Sequence, residues 1–143
     1  MLAACVGDKE EPAWELPDGS PLPQFSVTTS TGDVVSTSTF SGRGGMIVLF
    51  NTSCADCRRE LPEVQRIYEA ATEAGSEEVY ICIARDEGEA SIAAYWEEAG
   101  LTLPYSPQPD REVYDLFASR GIPRIFLVSP DLVVTQGKLT GER

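Results

Sequence analysis

Met46-Ile-Val-Leu-Phe-Asn-Thr-Ser-Cys54-Ala-Asp-Cys57-Arg-Arg-Glu-Leu-Pro62 changes character twice. Residues 46–50 are apolar and rich in branched side chains, which predicts a buried β-strand. Asn51, Thr52 and Ser53 break that pattern. From Ala55 the apolar residues recur at helical spacing, with Leu61, Val64, Ile67, Tyr68 and Ala71 on one face. The Cys-x-x-Cys pair therefore sits where a strand ends and a helix begins. At a helix N-terminus, free N–H groups and the helix dipole favour negative charge, and thiolate is the reactive form of cysteine. Cys54 reads as the attacking thiol. Cys57, one turn into the helix, reads as the shielded, resolving thiol.

A chain of 143 residues implies one domain, large enough to bury a core without metal or disulfide staples. It carries 11 Lys and Arg against 23 Asp and Glu, a net charge of −12. That balance argues against nucleic acid and anionic membrane surfaces as partners. The absence of histidine excludes Cys-His and Ser-His-Asp catalysis and disfavours copper or catalytic zinc. The four cysteines are Cys5, Cys54, Cys57 and Cys82. One pair and two distant singles fit a redox couple better than a metal site, and Arg58 stands where c-type haem attachment requires His. No metal or cofactor is implied.

Leu2-Ala3-Ala4-Cys5 resembles a bacterial lipobox, in which Cys5 would be lipidated; the other reading of Cys5 is a free thiol in a frayed terminus. Residues 6–24 are acidic and hold Pro12, Pro17, Pro21 and Pro23, which predicts an extended tether. The expected division is thus a lipobox-like start and tether over residues 1–21 and one domain over residues 22–143. Within the domain a hairpin is expected over residues 25–36, a helical turn at residues 38–40, and a second buried strand over residues 79–84, with Cys82 as a core residue. A helix over residues 89–99 would turn Ile92, Tyr95 and Trp96 inward and end at Gly100. Residues 101–110, rich in proline, read as mostly loop, and residues 111–119 as a short helix with Val113, Leu116 and Phe117 inward. Ile122-Pro123, a candidate cis bond, leads into a strand over residues 124–128, and residues 132–136 return as an antiparallel edge strand.

Strand, Cys-x-x-Cys, helix, strand, helix, Ile-Pro, strand, turn, strand: this order resembles the thioredoxin fold over roughly residues 22–139. The expected class is α/β, a thioredoxin-like three-layer fold with an N-terminal β-hairpin. The hairpin, the Cys-Arg-Arg-Glu-Leu-Pro run and the insert before Ile122 look like the extracytoplasmic, membrane-tethered thiol-disulfide oxidoreductases of the cytochrome c maturation type. That resemblance implies that Glu60, three residues after Cys57 and on its helix face, handles protons. Cytoplasmic thioredoxins carry an acid on the strand, where this chain has Val48. It also implies that Ile122 and a cis Pro123 flank Cys54 and pair with an extended client, beside Ser53. Arg58 and Arg59 either support a Cys54 thiolate or lie exposed, and Pro62 should kink the helix. The implied partners are client protein disulfides and an upstream thiol reductant, outside the cytoplasm, with membrane contact only through a lipid on Cys5.

Two departures stand out. Ser53 replaces the usual Trp before the first cysteine, which makes the rim more polar. The family also ends with a helix packed on the sheet, and residues 137–143 do not read as one. The alternative enzyme is a peroxiredoxin-like peroxidase. That family wants Thr three residues, and Pro seven residues, before its reactive cysteine, where this chain has Asn51 and Ile47. The alternative of another class is a non-catalytic module that binds thiol clients.

Overall fold

The computed structural model describes residues 14–137. Its centre is the strand expected from the apolar run. Gly45–Phe50 (β4) pairs in parallel with Val79–Ala84 (β5) on one side and antiparallel with Arg124–Val128 (β7) on the other. Side chains alternate across a strand, and both faces of β4 are covered. Met46, Val48 and Phe50 face one layer, and Ile47 and Leu49 the other. A continuous apolar run is what such a strand requires. Gly45 is fixed by close approach, because a Cβ there would lie 1.9 Å from the Val79 carbonyl oxygen.

The first layer holds two helices, Ala55–Glu73 (α1) and Glu89–Ala99 (α2). Leu61 and Val64 of α1 and Ile92 of α2 are fully buried against Met46, Val48, Phe50, Tyr80 and Cys82. Each such side chain contributes roughly 1.5–3 kcal/mol. Gly100 ends α2 in the left-handed region at φ 68°. The opposite layer is made of the hairpin Ser26–Thr28 (β2) with Val34–Ser36 (β3), the 3-10 turn Thr37–Phe40, and a second 3-10 turn, Tyr114–Leu116. Phe25 packs edge-on against Phe117, which in turn packs on Phe126. This is the thioredoxin-like three-layer arrangement expected, with a hairpin and short turns forming the layer opposite the helices.

Several details differ from the sequence expectations. Residues 101–110 are mostly loop, as expected, but within them Tyr105–Ser106 (β6) adds a short parallel strand beside β5, hidden in the sequence by Pro104 and Pro107 on either side. Residues 111–119 form no α-helix. Tyr114 turns inward there, its hydroxyl donating to the Gly121 carbonyl at 2.6 Å, while Leu116 is exposed. Ile67 also lies on the solvent side of α1, and Gln65 takes an inner position, its side chain holding the Thr102 and Leu103 backbone amides.

The tether expected over residues 6–24 is docked from Trp14 onward. Ser20–Pro21 (β1) pairs antiparallel with Val133–Gln136 (β8), so β8 is not the sheet edge. The sheet order is β1-β8-β7-β4-β5-β6. Leu22 is buried within the described part of the expected tether and domain start. This docked segment lies along the edge and on the hairpin side. It leaves Leu127 and Val133 on the helix side of β7 and β8 at 40% and 37% exposure. Among the described residues no helix covers them; residues 138–143 lie outside the described range, as does Cys5.

Cys82 sits in β5, fully buried, as expected of a core residue. Burial pushes its thiol well above the ordinary value of 9.0, so the folded chain holds a proton that the unfolded chain releases. Stability from such a group is intact below 9.0 and falls as pH rises towards the folded value. Above about pH 9 the reduced protein should lose about 1.4 kcal/mol per pH unit for each thiol held neutral. Urea unfolding between about pH 9 and pH 11 checks this, and Cys82→Ala should roughly halve the slope, since buried Cys57 still contributes.

Candidate active site

The parallel register of β4 and β5 sets Phe50 beside Ala84, so the loops that follow the two strands start side by side. Asn51 uses this first. Its side-chain amide donates to the Arg85 carbonyl at 2.9 Å, and its Oδ1 accepts the Ser53 N–H at 2.8 Å and the Ser53 hydroxyl at 2.7 Å. The Cys54 N–H closes a turn onto the Asn51 carbonyl at 3.0 Å. Thr52 is tied through its N–H and hydroxyl to the Glu87 carboxylate.

Cys54 is the N-cap of α1, with extended backbone at φ −91° and ψ 122°. Its sulfur accepts the Cys57 N–H at 3.2 Å, the bond an N-cap side chain makes to an unsatisfied helix amide. The same Sγ lies 3.7 Å from the Ile122 carbonyl oxygen, in a donor contact from the thiol. Cys54 is half-buried, while Cys57 is fully buried. Both thiols are free, one helical turn apart. Burial pushes the Cys57 thiol well above 9.0, and the neighbouring Cys54 adds to this; the Asn51 backbone and the charge of Arg85 oppose it without prevailing. Cys57 therefore keeps its proton until something removes it.

Glu60 follows one turn later on the same face, 3% exposed. A carboxyl at such depth is costly to bury as a surface ornament. Ile122 and Pro123 form the other wall, joined by a cis peptide bond, and Ile122 packs against both core layers. Ser53 is exposed on the rim. The expected residues Cys54, Cys57, Ile122 and Pro123 are thus brought together, with Ser53 next to Cys54 and Glu60 buried one turn after Cys57 on α1. Val48 faces the helix layer as a core residue. Among the described residues no three His, Cys, Asp or Glu side chains converge as a metal-ligand set.

The two arginines part company. Arg59 pairs with Asp56 on the outside of α1. Arg58 lies over the Tyr95 ring, 5.0 Å from its centre, and its Nε donates to the Thr52 carbonyl at 2.5 Å. Pro62 lacks the N–H that would reach the Arg58 carbonyl, yet α1 runs through it. The Tyr95 hydroxyl of α2 donates to that carbonyl at 3.2 Å and replaces the missing bond. Sequence reasoning missed Thr52 and Glu87, and placed Tyr95 inward without its bond to Arg58. The available signal was topological, since open α/β sheets build sites at the carboxyl ends of adjacent parallel strands, and residues 85–88 follow such an end.

A β4 strand ending in a Cys-x-x-Cys helix cap, faced by a cis proline before an antiparallel strand, defines a thioredoxin-like protein. The chain belongs to the AhpC/TSA family, whose sequence model matches residues 19–136. It is 26% identical over 118 residues to thiol-disulfide oxidoreductase ResA of Bacillus subtilis (strain 168), covering 81% of this chain and 64% of that protein. The thioredoxin domain of a thiol-disulfide oxidoreductase from Bacteroides vulgatus superimposes with a TM-score of 0.73 at 25% identity, covering 88% of this chain and 91% of that one. A putative protein disulfide isomerase from Bacteroides thetaiotaomicron shares the fold, with a TM-score of 0.78 at 23% identity, covering 89% of this chain and 86% of that one.

The Tyr95–Arg58 bond can be tested alone. Tyr95→Phe keeps the ring beneath the guanidinium and removes the hydroxyl. Chemical unfolding should show a loss of about 1 kcal/mol. An unchanged midpoint would mean that the Arg58 carbonyl finds another donor.

Proposed function

We propose that this chain is a thiol-disulfide oxidoreductase that acts on protein disulfides through the Cys54–Cys57 couple. The observation that carries this reading is the position of Cys54 Sγ, between the Cys57 amide at 3.2 Å and the Ile122 carbonyl at 3.7 Å. The amide supports negative charge on sulfur. The Ile122 backbone, just before β7, offers an extended client polar groups to pair with, so that its disulfide is led to Cys54. The named relatives and the site's chemistry point the same way.

In this mechanism the Cys54 thiolate attacks one sulfur of the client disulfide, and the other leaves as a client thiolate. Cys57 then gives its proton to the Glu60 carboxylate and attacks Cys54 sulfur. The second client thiolate leaves, the Cys54–Cys57 disulfide closes, and two electrons have passed to the client. An upstream thiol reductant restores the pair. Burial of Cys57 makes its deprotonation the step that needs help, and Glu60 is the buried acid on its face. Ser53, in place of a bulky aromatic, gives clients a polar rim. The expected site of action is outside the cytoplasm, with Cys5 as a lipid anchor; among the described residues no helix is long and apolar enough to cross a membrane.

The experiment is insulin or client disulfide reduction. Cys54→Ser should abolish it, and Cys57→Ser should accumulate the mixed disulfide; full activity in Cys54→Ser would end this reading. Glu60→Gln should leave the first attack intact, slow resolution by about a hundredfold or more, and change the pH profile of that step. An unaltered profile would remove Glu60 from the mechanism. A couple potential near about −270 mV would establish a reductant, and one near about −120 mV an oxidant. The AhpC/TSA match favours one second reading, a peroxidase. Peroxide consumption by the reduced protein, faster than insulin reduction, would favour it over the first.

A further inference from the structure

Glu87 lies outside the Cys-x-x-Cys motif, in the loop between β5 and α2. Its carboxylate is the point where two parts of the site meet. Thr52, 4% exposed, donates its N–H to Glu87 Oε1 at 2.7 Å and its hydroxyl to Glu87 Oε2. Ser91, in the first turns of α2, donates to the same Oε2 at 2.7 Å. The Glu87 backbone is itself held, exchanging hydrogen bonds of 2.8 and 3.0 Å with Gln108. From the other side Arg58 Nε takes the Thr52 carbonyl. All the polar groups of Thr52 are therefore engaged, and Cys54 follows two residues later. Hydrogen bonds to an ionised carboxylate are roughly twice as strong as neutral ones.

We propose that Glu87 is a positioning residue for Cys54. By gripping Thr52 it fixes the peptide planes of the turn over residues 51–54, and so the direction in which Cys54 presents its sulfur to the Cys57 amide and the Ile122 carbonyl. Reacting atoms held slightly out of line lose rate steeply. This inference rests on Cys54 being the attacking thiol.

The test follows alkylation of Cys54 by iodoacetamide in the reduced full chain at one pH, read by mass spectrometry on the Cys54 peptide. A small reagent keeps client binding out of the measurement, so failure of the client-reduction reading would show separately in the Cys54→Ser assay. Glu87→Ala should slow alkylation about tenfold and Thr52→Val about threefold, the rate equivalents of lost charge-assisted hydrogen bonds. Glu87→Gln keeps an oxygen for the Thr52 N–H and should stay within about threefold of the parent. Removing a neighbouring negative charge by itself favours thiolate and speeds alkylation, so slowing carries the sign of misplacement. Amide exchange at Thr52 should also quicken in Glu87→Ala. Unchanged alkylation in Glu87→Ala and Thr52→Val, with only stability lowered, would make Glu87 a plain brace and overturn the proposal. So would equal slowing in Glu87→Gln and Glu87→Ala. If Glu87→Ala does not fold, Thr52→Val and Glu87→Gln decide: parental rates in Thr52→Val overturn the proposal.

Discussion

The site depends first on the parallel register between β4 and β5. Because Val48 lies opposite Cys82 and Phe50 opposite Ala84, the two chains leave the sheet at the same height. Asn51 can then reach Arg85, and Thr52 can reach Glu87. A shift by one residue would turn every side chain of β4 to the other face and carry Cys54 away from Ile122. The burial of both faces of β4 is what makes that register costly to change. Core packing is thus the reason a redox pair at the end of a strand meets a proline from the far end of the chain.

Burial divides the chemistry between two cysteines that differ little in sequence. Cys54 caps the helix and remains partly accessible, with an amide aimed at its sulfur. Cys57, three residues on, points into the helix-side core, where desolvation keeps the thiol neutral. One thiol is open to solvent and the other is closed off from it. The same face of α1 carries Glu60 into the interior. Cap, inward thiol and inward acid thus fall at successive turns of one helix.

The parts of the molecule visible in the sequence were those set by local pattern. The run over residues 46–50, the helix periodicity after Ala55 and the Ile122-Pro123 corner each speak for themselves. The shortfalls came where distant partners decide. Nothing near Glu87 announces Thr52, because the contact joins residues 35 apart and arises only from sheet register. β6 is two residues long and needs β5 to exist. Residues 111–119 had helical apolar spacing, but Tyr114 burying its ring and bonding to Gly121 outweighed it. The docking of residues 14–22 was hidden by prolines that suit both a tether and a short edge strand.

That docked segment bears on how the molecule behaves among copies of itself. Trp14 and Leu16 exchange backbone hydrogen bonds with Ser119 and Phe117, and Glu15 pairs with Arg124 at the start of β7. Ser20 and Pro21 then occupy the outer side of β8. Pro21 cannot donate to a further strand, which makes it a poor template for continued sheet growth. Stripping residues 14–22 from the sheet would bare the row of amides and carbonyls on Val133–Gln136, next to the exposed apolar side chains of Leu127 and Val133. The strap thus occupies the sheet edge at which another β-strand could otherwise add.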